Sequence, residues 1–159
     1  MRRRLAALAA LSAIGIAPHA QAATSDPLGD LVTSIVSGAL PGSAVFNVKA
    51  TLYHAGAKGV GSLDSLGCRV VPMRTLAVDK TIIPRRTVVF IKETVGVKMP
   101  DGATHDGYWY ASDIGGAIKG QRIDLYTGQN AASMKSMQKL NLGTLTAVKV
   151  GNFTGCPPK

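Results

Sequence analysis

Asp113-Ile114-Gly115-Gly116-Ala117-Ile118-Lys119-Gly120-Gln121-Arg122-Ile123-Asp124-Leu125-Tyr126 sets three glycines between two aspartates and buries the second aspartate in an apolar run. Aspartate is depleted in strands. A carboxylate between Ile123 and Leu125 must be hydrogen-bonded, paired or tuned for chemistry, unless its face of the strand is polar. Alternation alone leaves both open, because an inward Ile123 and Leu125 turn Asp124 to the opposite face. Asp113 closes Tyr108-Trp109-Tyr110-Ala111-Ser112 and precedes two glycines, so it reads as a turn brace or as a companion of Asp124. Asp79 ends Leu76-Ala77-Val78 in the same way, either as a turn residue before Thr81–Pro84 or as a third member of the group. The chain has only nine acidic residues, and all but Glu93 are Asp, so three in such settings are a concentrated signal.

Working outward, the hydrophobic period is two. Phe46, Val48, Ala50 and Leu52 alternate with Asn47, Lys49, Thr51 and Tyr53, as a half-buried strand requires. Further strands are predicted over Arg69–Val78, Thr87–Val95, Tyr108–Asp113, Arg122–Tyr126 and Thr144–Val150. The Gly96–Gly107 segment, with Pro100, Asp101-Gly102 and Asp106-Gly107, reads as an exposed loop. Asn130 is placed to cap a short helix over Ala131–Leu140, with Ala132, Met134 and Met137 facing inward. About six short strands with little helix predict an all-β chain folded as a small closed barrel.

The N-terminus reads as an export signal. Arg2-Arg3-Arg4 form a positive head, Leu5–Pro18 an apolar run, and Ala20-Gln21-Ala22 a small-residue cleavage site. The run is too short to span a bilayer, so stable membrane insertion is not expected. The division predicted is a signal peptide at 1–22, a helical segment at 23–43 opened by Asp26-Pro27, and a barrel domain at 44–159. The helix stripe of Leu28, Leu31, Val32, Ile35, Val36 and Ala39 carries no Lys or Arg and reads as a packing face. Removing the three leader arginines from the 18 basic side chains leaves 15 against 9 acidic ones, a net +6. That charge suits an anionic wall polymer or acidic peptides. The basic residues are scattered, and export argues against nucleic acid as a partner. Cys68 and Cys156 are expected to form a disulfide, because an exported chain meets an oxidising compartment. Neither a metal site nor a cofactor is expected, since the cysteines lack histidines at ligand spacing and phosphate-loop, zinc-protease and serine-hydrolase motifs are missing.

Leu76-Ala77-Val78-Asp79, Ile82-Ile83-Pro84, Asp113-x-Gly115-Gly116-Ala117-Ile118-Lys119-Gly120 and Arg122-Ile123-Asp124 together resemble the 3D domain family, named for its three aspartates. The resemblance extends over Val48–Val150 and is similar to the catalytic barrel of lytic transglycosylase A. It implies a six-stranded double-psi β-barrel with short peripheral helices, acting on the glycan strands of peptidoglycan in the secreted or periplasmic space. It also implies that Asp124 is the catalytic acid and base, that Asp113 supports it, and that Asp79 is more structural. Two departures stand out: Ile114 replaces the usual Thr, and Arg85-Arg86 replace the usual Leu-Gly after Pro84. The transglycosylase owns a second domain that completes its groove, so a lone barrel would act alone, bind without cutting, or use a partner protein to complete the groove.

For substrate contacts, Gly115, Gly116 and Gly120 would let backbone approach a sugar closely. Lys119 and Arg122 are candidates to hold muropeptide carboxylates, with solvated surface charge as the alternative for Lys119. Tyr53 and Trp109, with His54 and Tyr126 beside them, are candidate sugar-stacking groups; Trp109 reads equally well as core.

Overall fold

Alternating side chains build six strands, and the computed structural model describes them within residues 43–158, together with Thr33 and Ser34. The predicted leader at 1–22 lies outside the described residues, as does most of the 23–43 segment. The strands are β1 (Val45–His54), β2 (Thr75–Val78), β3 (Thr87–Ile91), β4 (Tyr108–Asp113), β5 (Arg122–Gly128) and β6 (Thr144–Asn152). They close into a barrel in the order β1-β5-β2-β4-β3-β6, with β6 returning to β1. The β1/β5 and β2/β4 pairs are parallel and the other four are antiparallel. This is the all-β, six-stranded closed barrel that the resemblance implied.

The interior is the apolar half of each alternation. Val48, Ala50, Leu52, Leu76, Val78, Val89, Ile91, Trp109, Ala111, Ile123, Leu125, Leu145 and Ala147 form one buried cluster, joined by Met73, Ile83 and Met137. Fully burying each such side chain stabilises the fold by about 1.5–3 kcal/mol before the entropy of ordering is subtracted. Residues 51, 53, 77, 124 and 126 stand on the other face of their strands. That outer face carries the site.

Two strands are shorter than predicted, and the helix is of another type. The strand expected over Arg69–Val78 begins only at Thr75, because Pro72 and Met73 turn the chain and Met73 takes a left-handed backbone (φ 53°). The Thr87–Val95 strand stops at Ile91 and tightens into a 3₁₀ turn over Lys92–Thr94. The Ala131–Leu140 helix is 3₁₀ rather than α. Asn130 caps it by accepting the Ala132 N–H at 3.1 Å. Met137 is buried and Met134 packs on the core as expected, but Ala132 is exposed, since a three-residue turn carries it round to solvent.

Cys68 and Cys156 are bonded, with Cα atoms 5.5 Å apart across a sequence separation of 88. Arg86 occupies the position where the family usually has Gly and has the left-handed backbone that favours glycine (φ 69°). That conformation costs a side-chain-bearing residue about 1–2 kcal/mol. Against it stands one contact that Gly would lack: the Arg86 guanidinium donates to the Gly155 carbonyl at 3.0 Å. The Arg86 carbonyl also accepts the Phe153 N–H at 2.9 Å, so both groups hold the C-terminal tail that ends in the disulfide.

The double substitution Cys68→Ala/Cys156→Ala should lower unfolding free energy by roughly 2–5 kcal/mol while far-ultraviolet circular dichroism stays that of a β-barrel. Urea denaturation of the variant against the oxidised wild type measures this; coincident midpoints would show that the bond contributes nothing.

Candidate functional site

Register places the site. Across four neighbouring strands Thr51 on β1 lies opposite Asp124 on β5, Asp124 opposite Ala77 on β2, and Ala77 opposite Asp113 on β4. The two aspartates therefore flank one small side chain. Asp113 reaches this row because of an irregularity: Leu76 pairs with Ala111, but the next residue, Ala77, pairs with Asp113. Ser112 is the extra residue of a β-bulge. A bulge reverses which face the following residue takes. Without it Ser112 would stand beside Ala77 on the outer face, and Asp113 would point into the core.

Tyr53, Ala77, Asp113, Ile114, Gly115, Gly116 and Asp124 line a cleft of about 280 Å³, roofed by Gly59–Gly61 and Leu63. Strand spacing puts the two aspartate Cα atoms on the order of 10 Å apart, across Ala77.

The two carboxyls are held differently. One oxygen of Asp113 accepts the Ile114 N–H at 2.8 Å and the Ser65 N–H at 3.0 Å. The other accepts the Tyr53 hydroxyl at 3.3 Å. Burial raises Asp113 above the ordinary carboxylate range, the Ile114, Ser65 and Tyr53 donors oppose that rise, and the charge of Asp64 adds to it. Burial also raises Tyr53, with the charges of Asp113 and Asp124 adding to it, so its hydroxyl remains a donor.

Asp124 is the less satisfied group. Its Oδ1 is buried with no hydrogen-bond partner among the described residues. Burial pushes this carboxyl up from 3.8 to about 6; the neighbouring Thr51 hydroxyl and Arg122 guanidinium pull it down, and the charge of Asp113 adds a lesser rise. A carboxyl with that affinity exchanges its proton near neutral pH.

Asp79 stands apart from the cleft lining. One oxygen accepts the Thr81 N–H at 3.0 Å and the Thr81 hydroxyl at 2.7 Å, and the other accepts the Gly120 N–H at 2.8 Å. The Thr81 N–H and hydroxyl, then the Gly120 N–H, hold it down at about 2. Asp79 thus ties the turn between β4 and β5 to the end of β2. Gly120 sits at φ 64°, where glycine is favoured, and offers its N–H from there. Gly115 is needed for space, since an added Cβ would meet Ile118 Cγ1 at 2.5 Å.

Of the other predicted contacts, Tyr53, Gly115 and Gly116 line the cleft, and Arg122 acts on Asp124 through its charge. Lys119 is exposed and its charge bears on Asp79. Trp109 takes no part. It is fully buried, its indole N–H donates to Thr94 Oγ1 at 3.0 Å, and its ring stacks on His105. His105, within the segment expected to be an exposed loop, is buried: its Nδ1 accepts the Gly107 N–H at 2.8 Å and its Nε2 lies 2.7 Å from the Met73 carbonyl. Thr51, Ala77, Asp64 and Ser65 were not singled out from sequence. Only strand register and a turn without strand periodicity bring them to the site. No cluster of metal-ligating side chains occurs among the described residues, and no helix there is long and apolar enough to cross a membrane.

Residues 74–146 match the family described as 3D domain. The match runs from the start of β2 into β6, narrower than Val48–Val150, and leaves β1 and the roof of the cleft outside it. Among solved structures similar to this chain is the lytic transglycosylase MltA of Escherichia coli with bound chitohexaose. It is 20% identical with a TM-score of 0.44, covering 60% of this chain and 29% of that one. Another is the lytic transglycosylase LtgG of Burkholderia pseudomallei, at 26% identity and a TM-score of 0.40, covering 58% and 28%. A third is a membrane-bound lytic murein transglycosylase from Agrobacterium tumefaciens, at 24% identity and a TM-score of 0.39, covering 55% and 25%. The chain spans less than a third of the length of each. A search of curated proteins by sequence finds no match.

The raised Asp124 makes a prediction about stability. The folded protein binds a proton there more tightly than the unfolded chain, so stability declines as pH rises from about 4 through about 6 and stays reduced above it. Asp124→Asn removes the buried charge. It should match or fall below wild type at pH 4 and exceed it by roughly 1–2 kcal/mol at pH 8, after allowance for partial solvent access. Thermal melts of both proteins across that range read the difference; a gap that does not widen with pH would contradict the burial of this carboxyl.

Proposed function

We propose that this protein is exported, acts on the glycan strand of peptidoglycan, and cleaves it as a lytic transglycosylase does, with Asp124 as both acid and base. The observation that carries this reading is the pair of unequal carboxyls in one cleft. Asp113 is held by three donors, whereas Asp124 has a buried oxygen without a partner and a proton affinity near neutral. The 3D domain match and the family resemblance of the Asp113–Asp124 run support the substrate class. The solved lytic transglycosylases are far longer than this chain, so cleavage by the barrel itself belongs to the proposal.

In this mechanism protonated Asp124 gives its proton to the glycosidic oxygen as the bond to the anomeric carbon breaks and positive charge develops on the sugar. The resulting carboxylate takes the proton of the sugar's own 6-hydroxyl. That oxygen bonds to the anomeric carbon and closes a 1,6-anhydro ring. No water is consumed, and Asp124 ends protonated as it began. Asp113, anchored by backbone N–H groups and Tyr53, faces the developing positive charge without needing to move. Gly115 and Gly116 keep the wall low beside the reacting sugar, and the Tyr53 ring offers an apolar face. Asp79 acts as a positioning residue through Gly120.

Incubation of the purified protein with peptidoglycan sacculi tests this. Soluble 1,6-anhydromuropeptides are expected from wild type, with a loss of at least 10²-fold in Asp124→Asn. The rate should fall about tenfold per pH unit above roughly 6, as the acid form of Asp124 is depleted. Sacculus binding without soluble products would replace cleavage by wall recognition, and products undiminished in Asp124→Asn would remove Asp124 from the mechanism.

A further inference from the structure

Between β1 and β2 the chain runs through a long connection whose only strand-like pairing is the bridge Leu63↔Arg69. This hairpin walls the cleft, and its turn is organised by Asp64. The Asp64 N–H donates to the Cys68 carbonyl at 2.8 Å, and the Asp64 carbonyl accepts the Gly67 N–H at 3.0 Å. Its side-chain Oδ1 accepts the N–H groups of Leu66 at 3.0 Å and Cys68 at 2.8 Å. Ser65, at the tip, then bonds through all three of its polar groups. Its N–H goes to Asp113, its hydroxyl donates to the Ser112 carbonyl at 2.9 Å, and its carbonyl accepts the Arg85 guanidinium at 2.9 Å. The far end of the turn is fastened by the Cys68–Cys156 disulfide.

One feature of Asp64 exceeds what this turn needs. The residue is only 6% exposed, and its Oδ2 is buried with no hydrogen-bond partner among the described residues. An asparagine would offer the same side-chain oxygen to the same two N–H groups. Aspartate adds a negative charge that the turn itself does not require. No salt bridge to Asp64 occurs among the described residues.

We infer that Asp64 is a positioning residue for the carboxylate pair: its turn delivers the Ser65 N–H to Asp113, and its negative charge acts across that hydrogen bond on the cleft. The ionisable groups facing Asp113 are Tyr53 from β1, Asp124 from β5 and Asp64 from the roof, with Arg85 reaching the Ser65 carbonyl from the segment after β2. The one cation in that set is spent on Ser65, so the roof adds negative charge to the site. In agreement, the charge of Asp64 is among the causes that raise Asp113. This assignment rests on Asp113 serving the proposed reaction, but the geometry it describes is measurable without any reaction.

The test is carboxyl and amide nuclear magnetic resonance titration of the full oxidised protein, wild type against Asp64→Asn. The Ser65, Leu66 and Cys68 amide resonances should keep their wild-type positions at high pH apart from the local charge effect, showing an intact turn. The Asp113 midpoint should move down by about half a pH unit or more. Asp64→Ala should instead speed exchange of the Leu66 and Cys68 amides by at least about tenfold. An Asp113 midpoint unmoved in Asp64→Asn overturns the inference. Wild type alone provides a second test should Asp64→Asn not fold. The Ser65 amide follows Asp113, the Leu66 and Cys68 amides follow Asp64, and coupling requires each curve to carry an inflection from the other site. Curves with one inflection each overturn the inference as well. Inactivity of wild type on sacculi would sink the glycan-cleaving reading and leave these titrations to judge Asp64 by themselves.

Discussion

A single extra residue in β4 decides which side of the barrel wall receives Asp113. The bulge at Ser112 lets Ala111 fill the core and still turns Asp113 outward, into the row shared with Ala77, Asp124 and Thr51. Sheet geometry permits no partial version of this: the pairing either skips a residue or it does not. The bulge is held from outside, because the Ser112 carbonyl accepts the Ser65 hydroxyl. The acid pair and the contact that ties the roof to β4 therefore depend on one local break in alternation.

The small size of Ala77 matters as much as the charges on either side. It is buried at the cleft floor, and any larger side chain there would fill the space between the two carboxyls. With Ala77 between them, the aspartates interact weakly through charge. Their environments differ mainly through hydrogen bonding: three donors for Asp113, a vacant oxygen for Asp124. Unequal environments are what allow two like residues to take unlike roles.

Much of this was legible in the chain. Period-two runs located all six strands, because a small barrel sorts every strand into a core half and an outer half. The cysteine pair was legible from compartment chemistry, and Asp113 and Asp124 from glycines and apolar neighbours that a solvated turn does not need. What stayed hidden depends on pairing or on turns. Alternation cannot say which neighbour faces which, so Thr51 and Ala77 looked like ordinary strand residues. Trp109 looked equally suited to a sugar or a core; it is the core, where the Thr94 hydroxyl satisfies its indole N–H. Asp64 and Ser65 lie in a connection without strand periodicity, and their contacts span more than forty residues of sequence. The burial of His105 stayed hidden because a loop rich in Gly and Asp gives no sign that one of its members is drawn inside.

The tail has an implication for how the molecule comes into being. Residue 156 closes the bond that fastens the roof, and Arg86 grips the same tail at Gly155 and Phe153. Synthesis reaches Cys156 88 residues after Cys68, so the roof is made well before its fastener. Until that second cysteine emerges this wall stays unfastened, however much of the sheet has already paired. Final assembly of the cleft waits for Cys156 and for an oxidant to join the two sulfurs.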